Sequence, residues 1–336
     1  MSATIRPARR QRGARISGLG AYRPSRVVPN SEIVERIDSS DEWIRTRSGI
    51  ESRRWAADDE TVVSMSLAAA GKALAHAGVR PDQVGCVIVS TVTHMYQTPS
   101  AAAEIAHALG TDHAAAFDIS AACAGFCYGL SLGSDMVQAG TAEHVLVIGV
   151  ERLSDLTDST DRSTAFLFAD GAGAAVVGPA ELDEAGIGPV AWGSDGENLD
   201  HIRQREDWRD VLASAEPRMP HLVMQGNAVF RWASYAMPTV AQEALAAAGI
   251  TVDDLDAFVP HQANMRITDA MARQLGLPDT VAIARDIAEQ GNSSAASIPL
   301  AIERLLETGE VRSGDLALVI GFGAGLVYAA QVIRIP

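Results

Sequence analysis

Asp118-Ile119-Ser120-Ala121-Ala122-Cys123-Ala124-Gly125-Phe126 is the stretch on which the reading of this chain turns. The apolar run before it, Ala114 to Ile119, predicts a buried strand. Small residues follow, and a helix is predicted from about Cys123 to Gln138, stopped at Gly140. Phe126, Leu130 and Val137 fall at i, i+4 and i+11, close to one helical face. Cys123 therefore stands where a strand ends and a helix begins. The first turn of a helix carries unpaired N–H groups and a partial positive charge, and both favour a thiolate, the form of cysteine that attacks carbon. The competing reading is one more small buried residue, as free cysteine usually is.

The 336 residues are 47% hydrophobic, enough for a large core as one big domain or two fused ones. With 27 basic and 42 acidic residues the net charge is −15, a poor basis for binding nucleic acid. No run of about 18 apolar residues exists to span a membrane. The cysteines, Cys86, Cys123 and Cys127, form neither a Cys-x-x-Cys pair nor, with histidines, a zinc pattern; no metal site and a reducing, cytoplasmic home are expected. Arg6, Arg9, Arg10, Arg12 and Arg15 precede no signal-peptide core, and residues 1–13 read as a flexible basic tail.

Along the chain, a strand is predicted from Ala14 to Gly20, and a helix begins at Ser40-Asp41-Glu42-Trp43-Ile44 with Asp41 as its cap. Arg45, Arg47, Arg53 and Arg54 cluster beyond Trp43; such a group can hold phosphates and stack a base. Val63 to Ala77 and Ser100 to Leu109 read as helices, Val84 to Thr91 and Val145 to Val150 as strands buried on both faces. Glu151 to Asp161 reads as a polar loop. Ala169-Asp170-Gly171-Ala172-Gly173 reads as a glycine turn before a strand from Ala174 to Val177. Neither this nor Gly321-Phe322-Gly323-Ala324-Gly325 fits the Gly-x-Gly-x-x-Gly dinucleotide pattern, which excludes nicotinamide binding. Residues 195–220 are polar and read as a surface excursion or lid.

The chain also repeats itself. Ala73-Leu74-Ala75-His76-Ala77-Gly78 matches Ala244-Leu245-Ala246-Ala247-Ala248-Gly249, and Leu146-Val147-Ile148-Gly149 matches Leu318-Val319-Ile320-Gly321, at offsets of 171 and 172. The Gly171-Ala172-Gly173 run is matched to Gly323-Ala324-Gly325. Two copies of one α/β unit are predicted, residues 14–180 and 185–336, each a mainly parallel sheet with helices on both faces. The offset sets Cys123 against Ala295, Asn292 against Ser120 and His261 against Ser90. All three chemistry-bearing residues then lie just past strands, where ligand sites of α/β sheets gather. A Cys/His/Asn set serves hydrolysis or acyl transfer.

These motifs resemble the ketoacyl synthase III family of condensing enzymes. The resemblance runs from about Ala14 to the C-terminus and rests on Ser39-Ser40-Asp41-Glu42-Trp43-Ile44, Ala121-Ala122-Cys123-Ala124-Gly125-Phe126, Asp170-Gly171-Ala172-Gly173-Ala174, Pro260-His261-Gln262-Ala263-Asn264, Gly291-Asn292-Ser293-Ser294-Ala295-Ala296-Ser297 and the glycines of residues 321–325. It implies a thiolase-like fold, a five-layer α-β-α-β-α sandwich assembled as a homodimer. It implies decarboxylative condensation of an acyl-CoA with malonyl-acyl carrier protein to start fatty-acid synthesis, both thioesters being substrates and no cofactor being needed. Cys123 would carry the acyl group, His261 and Asn292 would donate to the malonyl thioester oxygen, and the N–H groups of Cys123 and Ala324 would form the oxyanion hole. Phe322 would press on the malonyl carboxylate. Trp43, Arg162 and Arg47 match CoA-binding positions, and Arg231 and Arg266 match positions that receive the carrier protein. Thr98 stands where short-chain members carry an aromatic floor to the acyl pocket, so a larger starter is implied. A degradative thiolase is excluded, since no second cysteine follows Cys127. The alternative is a starter-unit synthase or acyltransferase of a polyketide pathway.

Overall fold

The computed structural model describes residues 12–111 and 113–336. The chain opens with β1 (Gly13–Tyr22), then a small antiparallel pair, β2 (Arg26–Pro29) and β3 (Ser52–Trp55), that encloses α1 (Asn30–Val34) and α2 (Asp41–Ser48). The first copy continues with α3 (Val62–Ala77), β4 (Val84–Ser90), α4 (Ala101–Leu109), β5 (Ala115–Ile119), α5 (Gly125–Ala139), β6 (His144–Arg152) and β7 (Asp170–Ala180). The second comprises β8 (Ala191–Ser194), β9 (Ile202–Gln204), α6 (Trp208–Ala213), β10 (Leu222–Met224), α7 (Gly226–Ala248), β11 (Ala257–Pro260), α8 (Met265–Leu275), β12 (Ala282–Ile283), α9 (Ile287–Gln290), α10 (Ser297–Thr308), β13 (Leu316–Gly323) and β14 (Val327–Arg334).

Two five-stranded sheets carry the fold, in the orders β1-β7-β6-β4-β5 and β8-β14-β13-β11-β12. The orders coincide element by element, so the duplication read from two short matches extends to both sheets. Helices α5 and α10 lie between the sheets, α3 and α4 cover the first, and α7 and α8 cover the second. The result is the thiolase-like α-β-α-β-α stack. Phe126, Leu130 and Val137, the face predicted for α5, are fully buried in that central layer.

The expected mainly parallel sheets are mixed. β4 pairs in parallel with β5 and β6, but β7 runs antiparallel to β6 and β1; β13, β14 and β8 repeat the pattern. In the second sheet the cause is the connection. Only Ala324–Leu326 join β13 to β14, and so short a link reverses the chain, whereas a parallel return needs a crossover. The predicted glycine turn at 169–173 is likewise strand: Gly171 pairs with Glu151 and Gly173 with Gly149 inside β7. Gly171-Ala172-Gly173 is therefore not the partner of Gly323-Ala324-Gly325; Gly323 ends β13, opposite Val327.

Most of the expected tail, residues 1–11, lies outside the described residues. Arg12 and Gly13, at its end, belong to the fold: Arg12 donates to the carbonyls of Val137 (2.8 Å) and Ala142 (3.1 Å), and Gly13 opens β1. The cap of α2 is Ser40, whose hydroxyl accepts from Trp43 N at 3.1 Å, and Asp41 is its first residue. β5 is an edge strand and only partly covered, not buried. The excursion at 195–220 holds a short 3-10 stretch and α6, with β9 and β10 paired as a two-stranded ribbon. Among the described residues no helix is long and apolar enough to cross a membrane.

Candidate active site

The two copies place matching turns at the heart of the molecule. A 3-10 turn, Ala122–Ala124, leads into α5, and another, Ser294–Ala296, leads into α10. Ala122 (φ 43°) and Ser294 (φ 46°) are the non-glycine residues in the left-handed region among the described residues, and they are 172 apart. A β-carbon makes that conformation unusual, so its recurrence at the repeat offset marks a site whose surroundings impose it.

Cys123 sits within the first turn and is half-buried. β13 passes directly against it. A β-carbon on Gly323 would stand 2.9 Å from Cys123 Sγ and 2.8 Å from its Cβ, so only glycine lets that strand approach the sulfur. Asn292 precedes the second turn. Its backbone N–H donates to Leu167 O (3.0 Å), its carbonyl accepts from Ala169 N (2.8 Å), and its side-chain Oδ1 accepts from Ser294 N (2.9 Å). With Oδ1 so engaged, the Nδ2 amide is the end left to donate. His261 follows β11, tied by its N–H to Ile320 O of β13 (2.7 Å).

The His261 ring is buried, and its Nδ1 lies 2.7 Å from Ser297 Oγ. Ser297 Oγ also accepts from Gln262 N at 3.3 Å; with its own proton given to Nδ1, the ring N–H stands on Nε2. Burial drives the imidazole pKa down to about 3, so the ring is neutral at ordinary pH and donates from Nε2. The other copy explains why a serine stands at 297. The offset pairs Ser297 with Gly125 and His261 with Ser90, and a β-carbon on Gly125 would fall 1.6 Å from Ser90 Oγ. The first copy has a serine facing a glycine, while the second has a histidine facing a serine.

Cys123, His261, Asn292, Phe322 and Gly323 line one cavity of about 250 Å³, with Trp43, Arg47 and Arg266 also on its walls. Phe322 is buried and meets the His261 ring edge-on, centroids 5.5 Å apart. Arg162 stacks over Trp43 at 4.8 Å, and Arg47 approaches the same ring at 5.8 Å. Of the arginine cluster only Arg47 reaches this cavity. Arg45 is held by Asp41 and Glu51, while Arg53 is fully buried and donates to Val28 O, Asn30 Oδ1 and Phe166 O. Arg54 donates to Pro24 O. Arg266 lies over Phe230, and Arg231 is exposed on α7 away from the cavity wall. Thr98 is exposed and does not line the cavity within one chain. Among the described residues no group of His, Cys, Asp and Glu is arranged to hold a metal ion.

The profile of 3-oxoacyl-[acyl-carrier-protein (ACP)] synthase III matches residues 117–196, and that of its C-terminal part matches residues 245–335. Over 332 residues the chain is 61% identical to a beta-ketoacyl-[acyl-carrier-protein] synthase III of Streptomyces glaucescens, covering 99% of each. The chain belongs to the ketoacyl synthase III family. It is thus an acyltransferase with the thiolase-like fold. Among solved structures, the priming beta-ketosynthase of the R1128 polyketide pathway is 49% identical, with a TM-score of 0.96 over 100% of this chain and 99% of that one. The 3-oxoacyl-[acyl-carrier-protein] synthase III of Aquifex aeolicus is 37% identical, with a TM-score of 0.88 over 96% of this chain and 100% of that one.

Two residues of this ketoacyl synthase III went unassigned in the sequence, and one segment was misread. Ser297 was visible as a motif residue without a role; the offset to Gly125 was the signal that it faces His261. Ser294 was in the same motif. Glu151, placed in a polar loop, is a fully buried carboxylate inside β6. The Cys123 thiol feels both burial and its neighbours. Burial pushes its thiol up to about 12, the Ser294 hydroxyl lowers it, and the nearby Glu151 charge raises it.

Proposed function

We propose that this chain joins an acyl group from acyl-CoA to malonyl-acyl carrier protein by decarboxylative condensation, forming 3-ketoacyl-acyl carrier protein at the start of fatty-acid synthesis. The observation that carries the reading is the meeting of Cys123, His261 and Asn292 on one cavity from two copies of the repeat. Cys123 Sγ attacks the acyl-CoA carbonyl, CoA leaves, and the acyl group stays on sulfur. The malonyl thioester then enters with its carbonyl oxygen facing His261 Nε2–H and Asn292 Nδ2–H. Loss of carbon dioxide leaves an enolate, whose charge those two neutral, fixed donors stabilise. A neutral histidine suits this step, because its Nε2–H donates to the oxygen yet is too weakly acidic to protonate the enolate before it attacks. The apolar edge of Phe322 beside His261 disfavours the malonyl carboxylate there and favours its departure. The enolate carbon attacks the Cys123 thioester, with the N–H groups of Cys123 and Ala324 receiving the oxyanion, and the sulfur leaves.

Trp43, Arg47 and Arg162 at the cavity mouth hold the CoA nucleotide. Since Arg162 rests directly on Trp43, a base slots between them only if the Arg162 side chain swings out. Arg231 and Arg266 receive the carrier protein, the positive spots an acidic partner needs on a chain of net charge −15. The protein works as a homodimer. β5 ends its sheet with an unpaired edge, its Phe117 is 36% exposed, and Met95 and Tyr96 nearby are exposed too; a bare apolar edge of this kind is ordinarily covered. Dimerisation there would bring the partner's 94–99 segment, Thr98 included, to the acyl end of the cavity.

A polyketide priming role keeps the same chemistry with a different starter and carrier, and it is supported by the likeness to the priming ketosynthase. A panel of acyl-CoAs with malonyl carrier protein separates the two, the preferred starter being the readout. The condensation itself is tested by His261→Ala and Asn292→Ala. Each should lose about 10²–10³-fold in malonyl decarboxylation and still accept acyl on Cys123. Normal decarboxylation in both variants would overturn these roles.

A further inference from the structure

Glu151 has no part in the steps above, yet it is hydrogen-bonded to Ser294, in the turn packed against that of Cys123. Its Oε2 accepts from Thr93 Oγ1 (2.7 Å), Val92 N (3.1 Å) and Thr91 Oγ1 (3.3 Å), and its Oε1 accepts from Ser294 Oγ (3.3 Å). Those partners are three hydroxyls and a backbone N–H, none of them a cation. The charged groups around it are engaged elsewhere. Arg152, next in β6, pairs with Asp155 and donates to Glu60 O; Asp170 of β7 accepts from Ala56 N and Ser154; His94, beyond Thr93, faces Glu104 at 3.8 Å. The titratable group near Glu151 is the Cys123 thiol, and Ser294, in the turn packed against the Cys123 turn, lies close to both.

We propose that Ser294 and Glu151 form the proton relay that lets Cys123 react. The thiol proton moves from Sγ to Ser294 Oγ while the Ser294 proton moves to Glu151 Oε1, and the sulfur lone pair forms the bond to the acyl carbon. The carbon–sulfur bond to CoA breaks, CoA leaves as thiolate, and the proton returns from Glu151 through Ser294 to that thiolate. Glu151 is a positioning residue in this scheme, acting on the sulfur only through Ser294. The proposal rests on Cys123 being the nucleophile.

The environment favours a shared proton over two separate ionisations. Burial raises the Glu151 carboxyl to about 7, against the pull of its hydroxyl and N–H partners. A Glu151 charge in turn opposes a Cys123 thiolate. Two acids coupled in this way share at most one negative charge, and Glu151 takes it first, as pH rises through about 7. Moving that charge to sulfur is the proton transfer itself.

Electrostatics and relay predict opposite outcomes for Glu151→Gln. If Glu151 were only a nearby charge, its removal would make the thiol more acidic and more reactive. If it is the proton acceptor, its removal slows the thiol. The measurement is the rate of Cys123 alkylation by iodoacetamide from pH 6 to 10, read by peptide mass spectrometry on the full chain. Cys86 and Cys127 are fully buried and serve as internal controls. Acyl transfer from acyl-CoA is followed in parallel. At pH 7 the Glu151→Gln and Ser294→Ala variants should each be slower by about a hundred-fold, with the deficit narrowing toward pH 10 as hydroxide takes the proton. The double variant should be no slower than either single one, as for two links in series. Alanine is accommodated at 294, since Ala122 adopts the same backbone conformation in the other copy; Ser294→Ala therefore decides the matter should Glu151→Gln fail to fold. Equal or faster alkylation of the variants at pH 7, or additive losses in the double variant, would overturn the relay alone. A wild-type Cys123 that acyl-CoA fails to acylate would overturn the nucleophile reading and the relay with it.

Discussion

Ser297→Ala is the sharpest test of how the site holds its histidine. The change deletes one oxygen, 2.7 Å from His261 Nδ1 and 3.3 Å from Gln262 N, both fully buried. Leaving a buried polar group without a partner costs about 1–3 kcal/mol, so a modest drop in thermal stability is expected. The functional loss has an upper bound. If the freed ring turns away or puts its proton on Nδ1, one of the two enolate donors is gone. Deleting one such donor costs about 2.7–4 kcal/mol; partial loss of orientation should cost less, so malonyl decarboxylation should fall by about 10–10²-fold. Acyl transfer to Cys123 uses neither donor and should stay within about two-fold of wild type. Release of labelled carbon dioxide from malonyl carrier protein measures the first quantity, and the mass of the acylated Cys123 peptide measures the second. A folded Ser297→Ala protein that decarboxylates normally, or that loses both half-reactions equally, would refute the tautomer argument.

Cys123→Ser should fold but lose condensation, since a serine hydroxyl lacks thiolate nucleophilicity at neutral pH; an acyl adduct on Cys86 or Cys127 in the wild type would contradict it. Burial disfavours the charged imidazole and holds the His261 pKa at about 3, so its ring signals in NMR should show no protonation between pH 5 and 8. Phe117→Asp places a charge on the bare edge of β5 and should convert a dimer to monomer by light scattering, with loss of activity; an active monomeric wild type would dispose of the dimer. Thr98→Phe should shift preference from C4 or branched acyl-CoA toward acetyl-CoA, each buried methylene being worth about 0.8 kcal/mol. Competition assays in which both proteins prefer acetyl-CoA would show that Thr98 does not set the pocket.

Much of this molecule is determined by its sequence through short-range physics. Gly78, Gly110 and Gly140 end helices in the left-handed conformation that glycine adopts freely, and each stop was legible from position alone. The repeat offset, the face of α5 and the places of Cys123, His261 and Asn292 beyond their strands depend on the same local patterns. The tertiary structure decided what those patterns cannot contain. A link of residues 324–326 made β14 antiparallel to β13. Burial turned Glu151 from a loop residue into a core carboxylate, and it sorted one arginine for the cavity from others committed to structure. Ser297 meets His261 across 36 residues, and Ser294 meets Glu151 across 143. A residue's type states which bonds it can make, but its partner, its exposure and hence its protonation depend on what the fold packs beside it.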